Sequence, residues 1–151
     1  MVIAYISGAL TQTRDIHACL QLYEELGKLC EEYKIEAFVP HIKLGSGDFF
    51  RGRCNAPRSP SKIFLQESRA IQKSDIILVC LDDPSTGVGA ELQLAIDNDL
   101  DIMAFHHRDI KISNYIRGML EQYSKSKILA YENKDALFES LKPWLTHHSQ
   151  K

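Results

Sequence analysis

The chain has 151 residues, 44% of them apolar and 25% charged, with a formal net charge of −2. That is the profile of one ordinary globular domain with a core large enough to need no disulfides. The charge gives no electrostatic reason to expect nucleic-acid or membrane partners, and no apolar stretch approaches the ~18 residues needed to span a bilayer.

In chain order, VIAYIS (2–7) is short, apolar and β-branched, a buried strand rather than a signal peptide, so the expected location is cytoplasmic. Ile16, Leu20, Tyr23, Leu26 and Cys30 recur at helical spacing within 14–33. EAFVP (36–40) reads as a second strand ended by Pro40, and 43–60 as a long irregular lid. A helix is expected over 61–73 with Ser61 as its N-cap. DIILVCL (75–81) is apolar throughout, as a central parallel strand covered on both faces must be. Then follow a helix at about 89–98, strand 101–105, helix 113–123, strand 127–131 and helix 134–145. The domain is read as 1–146, with 147–151 a frayed tail.

Strands alternating with helices imply an α/β fold: a flavodoxin- or Rossmann-like five-stranded parallel sheet, order 2-1-3-4-5, with helices on both faces. Ligands of such sheets bind beyond the carboxyl ends of the strands, at the switch point between strands 1 and 3. The rule selects SGALTQTR after strand 1 and DDPSTGVGAE after strand 3.

Glu91, placed in the first turn of the helix after strand 3, reads either as a catalytic carboxylate or as a partner for the helix dipole. Ser85, Thr86, Gly87 and Gly89 suit a turn that takes a phosphate or sugar hydroxyl, although the spacing is neither GxGxxG nor a Walker A. Tyr5 points to the same crevice and is either a partner for Glu91 or a core ring. Glu67 is a second carboxylate or a solvated helix residue, and His41 touches a ligand or ends a strand. Two carboxylates about one site are what glycosidic-bond cleavage needs. Arg51, Arg53 and Arg58 meet a phosphate or keep a loop soluble, and Phe49 and Phe50 stack on a base or pack within the lid. The four cysteines show no ligand spacing and the pairs His106-His107 and His147-His148 no metal pattern, so no metal and no cofactor are expected. A receiver domain would share the topology and use Asp82 or Asp83, but it also needs acids after strand 1, where SGALTQ has none.

YISGALTQTR, QESRAIQKSDIILVCL and above all PSTGVGAELQLA resemble the nucleoside 2-deoxyribosyltransferase superfamily, closest to the 2′-deoxynucleoside 5′-phosphate N-hydrolases, over roughly 2–120. The resemblance implies that Glu91 is a nucleophile toward the anomeric carbon, that Tyr5 orients it and that Glu67 assists departure of the base, standing where the family usually has aspartate. Gly8, Ser85, Gly87, Gly89 and Ser113, with Arg14 and His41, are the residues expected to bind the substrate or its phosphate. Ser85 stands where transferases usually carry an aspartate, which favours a nucleoside 5′-monophosphate as the small-molecule substrate. KISNYIRGM implies that Ser113 reaches a neighbouring subunit's phosphate, hence a homodimer with shared active sites. Ala9 and Thr11 replace a serine and an arginine of the family's phosphate grip. The expected activity is hydrolysis of the N-glycosidic bond; base exchange, or nucleotide sensing without turnover, are the alternatives.

Overall fold

The computed structural model describes residues 1–50 and 59–150, without the side chains of 48 and 49. Five strands, β1 (Ile3–Ser7), β2 (Glu36–Phe38), β3 (Ile76–Cys80), β4 (Asp101–His107) and β5 (Ser126–Tyr131), form one parallel sheet in the order β2-β1-β3-β4-β5. The expected topology is therefore observed. Period-2 alternation divides the core between the two faces. Ala4, Ile6, Ile76, Leu78, Cys80, Met103 and Phe105 pack against α1 (Ile16–Glu32) and α7 (Lys134–Ser149). Tyr5, Ile77, Val79, Ile102 and Ala104 face the other way, toward α4 (Pro60–Gln72), α5 (Thr86–Asp97) and α6 (Asn114–Gln122). All five residues of β3 are buried, as its uninterrupted apolar run requires.

Several boundaries depart from the sequence reading. Pro40 does not close a strand; it opens a short helix, α2 (Pro40–Lys43), because its missing N–H is no loss at a first helical position. A further short helix, α3 (Gly47–Phe50), lies within the expected irregular lid, and 51–58 are outside the described residues. Helix α4 is capped at Ser59 rather than Ser61, with Pro60 as its first residue. Helix α5 begins at Thr86, three residues before the expected start, since the Ser85 hydroxyl accepts the Val88 N–H at 3.3 Å and caps it.

The expected frayed tail is corrected most plainly. Helix α7 continues to Ser149 through Pro143, and His148 is 3% exposed. Its Nδ1 bonds the Trp144 carbonyl and its Nε2 the Asp101 carboxylate, both at 2.9 Å, so the last turn is docked on the amino end of β4. Among the described residues no helix is long and apolar enough to cross a membrane, and Cys19, Cys30 and Cys80 are unbridged.

Candidate active site

Strand β1 places Tyr5 and Ser7 on one face, two residues apart, at the carboxyl edge beside β3. Across from them, α5 docks through buried Val88, Leu92 and Ala95, the larger two contributing roughly 1.5–3 kcal/mol each by burial. That docking brings Glu91 against β1. Tyr5 Oη donates to Glu91 Oε1 at 2.7 Å and Ser7 Oγ donates to Oε2 at 2.5 Å. Each carboxylate oxygen is thus held by one hydroxyl and keeps a further lone pair.

Tyr5 serves both roles that the sequence left open. Its ring is fully buried and stacks on Phe38 at 5.5 Å, while its hydroxyl meets the carboxylate. Glu91, by contrast, is not in the first turn of its helix, which holds no acidic residue. The dipole argument fades beyond the first turn, so the hydroxyl pair, not the helix end, steadies its charge. Burial raises the Glu91 pKa, and the bonds from Ser7 and Tyr5 pull it back only in part. Burial, then the charges of Glu91 and Glu67, hold the Tyr5 hydroxyl protonated well above its usual range.

Glu67 lies on α4, which packs on α5, and is half-buried rather than solvated. Burial first and the charge of Glu91 second push its pKa up to about 7. Two carboxylates in one electrostatic environment, one steadied by hydroxyls and the other kept protonable near neutrality, is the division of labour expected of a nucleophile and an acid.

The remaining expected residues separate. Ser85 caps α5, and Gly87 and Gly89 lie inside its opening turns rather than in a loop. A Cβ at Gly87 would meet only Ser85 Oγ at 3.6 Å, and one at Gly89 only Ile116 Cδ1 at 3.9 Å. Packing demands neither glycine, yet each costs the helix up to about 1 kcal/mol against alanine. Gly8 differs: a Cβ there would lie 2.2 Å from the Tyr23 ring, so its smallness serves packing, and Tyr23 Oη donates to the Ala9 carbonyl at 3.1 Å. Ala9 is 3% exposed. His41 is also turned inward, 1% exposed, with Nε2 on Glu24 Oε1 at 3.0 Å. Arg14 bonds Asp83 Oδ1 at 3.0 Å and the Asp82 carbonyl at 2.9 Å, and its side chain is 70% exposed. It lines a cavity of about 590 Å3 with Leu10, Thr11, Thr13, Asp15, Ile16 and Phe50. Ser113 is exposed at the start of α6. Arg51, Arg53, Arg58 and the Phe49 side chain fall outside the described residues.

Sequence reasoning missed Ser7. The signal was available, because a strand that turns Tyr5 toward the crevice turns Ser7 the same way. A second cavity, about 510 Å3, sits at the amino ends of the strands among Val2, Asp75, Asp101 and His148, the edge opposite Glu91. Its Asp75 carboxylate accepts the Ile3 N–H, that of Asp101 bonds His148 and that of Asp99 bonds Lys125. Among the described residues no cluster of three or more His, Cys, Asp or Glu is placed to hold a metal.

No protein-family model matches the chain. A protein of Methanosarcina mazei named "Putative 2'-deoxynucleoside 5'-phosphate N-hydrolase 1" is 23% identical over 135 residues, 89% of this chain and 78% of that protein. A CMP N-glycosidase of Clostridium botulinum superposes with a TM-score of 0.70 at 17% identity, covering 94% of this chain and 98% of that one. A 2-deoxyribosyltransferase of Bacillus psychrosaccharolyticus gives 0.63 at 13% identity, covering 95% and 96%. One of Leishmania mexicana gives 0.59 at 14% identity, covering 98% and 99%. These structures share the fold of this chain, with its sheet order, and the Methanosarcina protein is its relative in sequence.

Proposed function

We propose that the protein hydrolyses the N-glycosidic bond of (deoxy)nucleoside 5′-monophosphates, releasing free base and sugar 5-phosphate. The names of its relatives support N-glycosidase or deoxyribosyltransferase-type activity in this family. The observation that carries the narrower reading is Glu91, gripped on both oxygens by Tyr5 and Ser7 beside a Glu67 whose pKa is about 7.

In the first step a Glu91 oxygen bonds to the anomeric carbon as the bond to the base nitrogen breaks. The leaving electron pair takes the proton of Glu67. In the second, Glu67, now a carboxylate, removes a proton from water; the water oxygen bonds to the anomeric carbon and Glu91 departs with its electron pair. Tyr5 and Ser7 hold the nucleophile in one orientation, which lowers the entropic cost of attack. At the other end of the substrate, Ser85 and the bare first turns at Gly87 and Gly89 leave room for a phosphate near the free N–H groups of α5. Ala9, buried, takes no part in that grip, whereas Thr11 and Arg14 line the adjoining cavity.

The site is proposed to be completed by a second copy of the chain. Ser113 is exposed beside Tyr115, 79% exposed, and α4 presents Phe64 at 67% and Leu65 at 47%. Large exposed apolar side chains on α4 and α6 fit a dimer face better than a solvated one. Sedimentation equilibrium checks this, and a monomer at all concentrations rejects it.

The decisive assay is release of base from a panel of nucleoside 5′-monophosphates and their unphosphorylated counterparts, by wild type and Glu91→Gln. Release by wild type that Glu91→Gln abolishes supports the hydrolase. No release from any monophosphate rejects it. Formation of a new nucleoside when a second free base is supplied assigns the chain instead to base exchange, the reading that Ser85 in place of aspartate disfavours.

A further inference from the structure

Asp82 and Asp83, at the exit of β3, have no part in the proposed chemistry, yet three elements converge on them. The His107 N–H, at the end of β4, donates to Asp82 Oδ1 at 2.6 Å. The Tyr131 hydroxyl, at the end of β5, donates to Asp82 Oδ2. From the β1–α1 connection, Arg14 reaches the Asp82 carbonyl at 2.9 Å and Asp83 Oδ1 at 3.0 Å. The Tyr131 ring is itself fixed, edge-on to His107 at 5.5 Å and to Phe105 at 6.2 Å. Directly after these residues come Pro84 and Ser85, and then the opening turn of α5.

We propose that Asp82 is a positioning residue: bound by His107 and Tyr131, its carboxylate fixes the turn from which Ser85 and the first N–H groups of α5 address the substrate's sugar phosphate. Three physical points support it. A strand exit followed by proline has few backbone bonds of its own, so side chains must set its conformation. The partners are 25 and 49 residues away, so the anchor transmits the sheet's rigidity, not local turn preference. The charge, finally, is directed away from any phosphate. Asp82's oxygens face β4 and β5, and Asp83, its side chain only 9% exposed, is paired with Arg14, so neither carboxylate opposes an anion at Ser85.

The inference rests on the proposed phosphate end of the site, and its test is separate from catalysis. The probe is ribose 5-phosphate, titrated calorimetrically into full-length wild type, Asp82→Ala, Asp82→Asn and Tyr131→Phe, with melting temperatures measured alongside. Tyr131→Phe keeps the ring packing and serves if Asp82→Ala fails to fold. Loss of the anchor is expected to weaken binding roughly tenfold in Asp82→Ala and Tyr131→Phe, a loss of about 1.4 kcal/mol. Asp82→Asn, which keeps an oxygen for the His107 N–H, is expected to stay within about threefold of wild type. A purely structural anchor would lower the melting temperature and leave the affinity of the folded protein unchanged, which overturns the proposal. So does a wild type that does not bind ribose 5-phosphate. Base release, measured in parallel, judges the hydrolase separately. Release with anchor-independent binding removes only the positioning role, and anchor-dependent binding without release removes only the hydrolase.

Discussion

Ser7 Oγ lies 2.5 Å from Glu91 Oε2, joining the last residue of β1 to the second turn of α5 across 84 positions of sequence. The bond completes what Tyr5 begins, since the two hydroxyls take one oxygen each. Held at both oxygens, the Glu91 carboxylate cannot rotate freely, as the proposed nucleophile requires, and both bonds favour its ionised form. Removing either donor should therefore slow the reaction and raise the pKa of the nucleophile together. Ser7→Ala is expected to reduce kcat by roughly 10- to 100-fold, in line with one charge-assisted hydrogen bond of ~1.5–3 kcal/mol. Its acidic limb should move to higher pH. Rate profiles of wild type and Ser7→Ala check this, and an unmoved limb would show that Ser7 does not touch the ionised nucleophile.

The two carboxylates predict a bell-shaped profile for kcat/KM. In the proposed mechanism Glu91 acts ionised, and burial lifts its pKa above its ordinary value, so activity is expected to fall as pH drops through that raised value. In the same proposal Glu67 acts protonated on the leaving base, and burial pushes its pKa up to about 7, so activity is expected to fall again as pH rises past neutrality. Because the groups feel one another, the limbs report the pair. Glu67→Gln should abolish the alkaline limb. It should also cost far less with a substrate whose leaving group needs no proton, the signature of lost acid catalysis. A retained alkaline limb in that variant assigns the acid elsewhere.

Glu67 also ties stability to pH. Its pKa rises from 4.5 to about 7 on folding, so the folded state binds the proton more tightly than the unfolded chain. Its stabilising effect is complete below the unfolded value and is lost as pH rises from there through about 7. Thermal melts should therefore show Glu67→Gln gaining on wild type as pH rises from 4.5 to about 7, the window that shift sets. A constant difference across the window would mean that Glu67 is ionised in the folded protein throughout.

The sheet order was legible because the strands are short, carry apolar runs and alternate with helical periods, and the uninterrupted run in β3 could only be central. Glu91 and Tyr5 stood out for their motifs. The start of α5 was misjudged because Gly87 and Gly89 signal a loop in one dimension, whereas the Ser85 cap draws them into the helix. His148 was misjudged for another reason. A polar pair near a terminus reads as solvated, and its partner Asp101 lies 47 residues away, beyond any local pattern.

That partner makes the C-terminal turn a stability element. His148 is 3% exposed, bonded at both ring nitrogens and packed on Trp144 at 4.3 Å, whereas His147 beside it is exposed. His148→Ala loses one buried and one part-buried hydrogen bond and leaves a void, roughly 2–4 kcal/mol together. For a chain of 151 residues that corresponds to a fall of about 5–12 °C in Tm. His147→Ala should stay within about 1 °C, as surface changes do. Equal melting temperatures for the two variants would mean that the last turn of α7 is not docked in solution.

Gly89 offers the sharpest separation of stability from function. It sits within α5, where alanine would favour the helix by up to about 1 kcal/mol, and a Cβ there meets nothing closer than Ile116 Cδ1 at 3.9 Å. Among the described residues, then, nothing in the fold calls for glycine. If the bare backbone is kept for a ligand, Gly89→Ala should melt about 2–4 °C higher and bind substrate more weakly, with KM raised roughly tenfold and kcat much less changed. The methyl group would stand where the sugar phosphate approaches while Glu91, two residues on, keeps its bonds to Tyr5 and Ser7. A variant that is both more stable and fully active would remove the opening turn of α5 from the binding site. One that is less stable would place an unrecognised packing partner against Gly89.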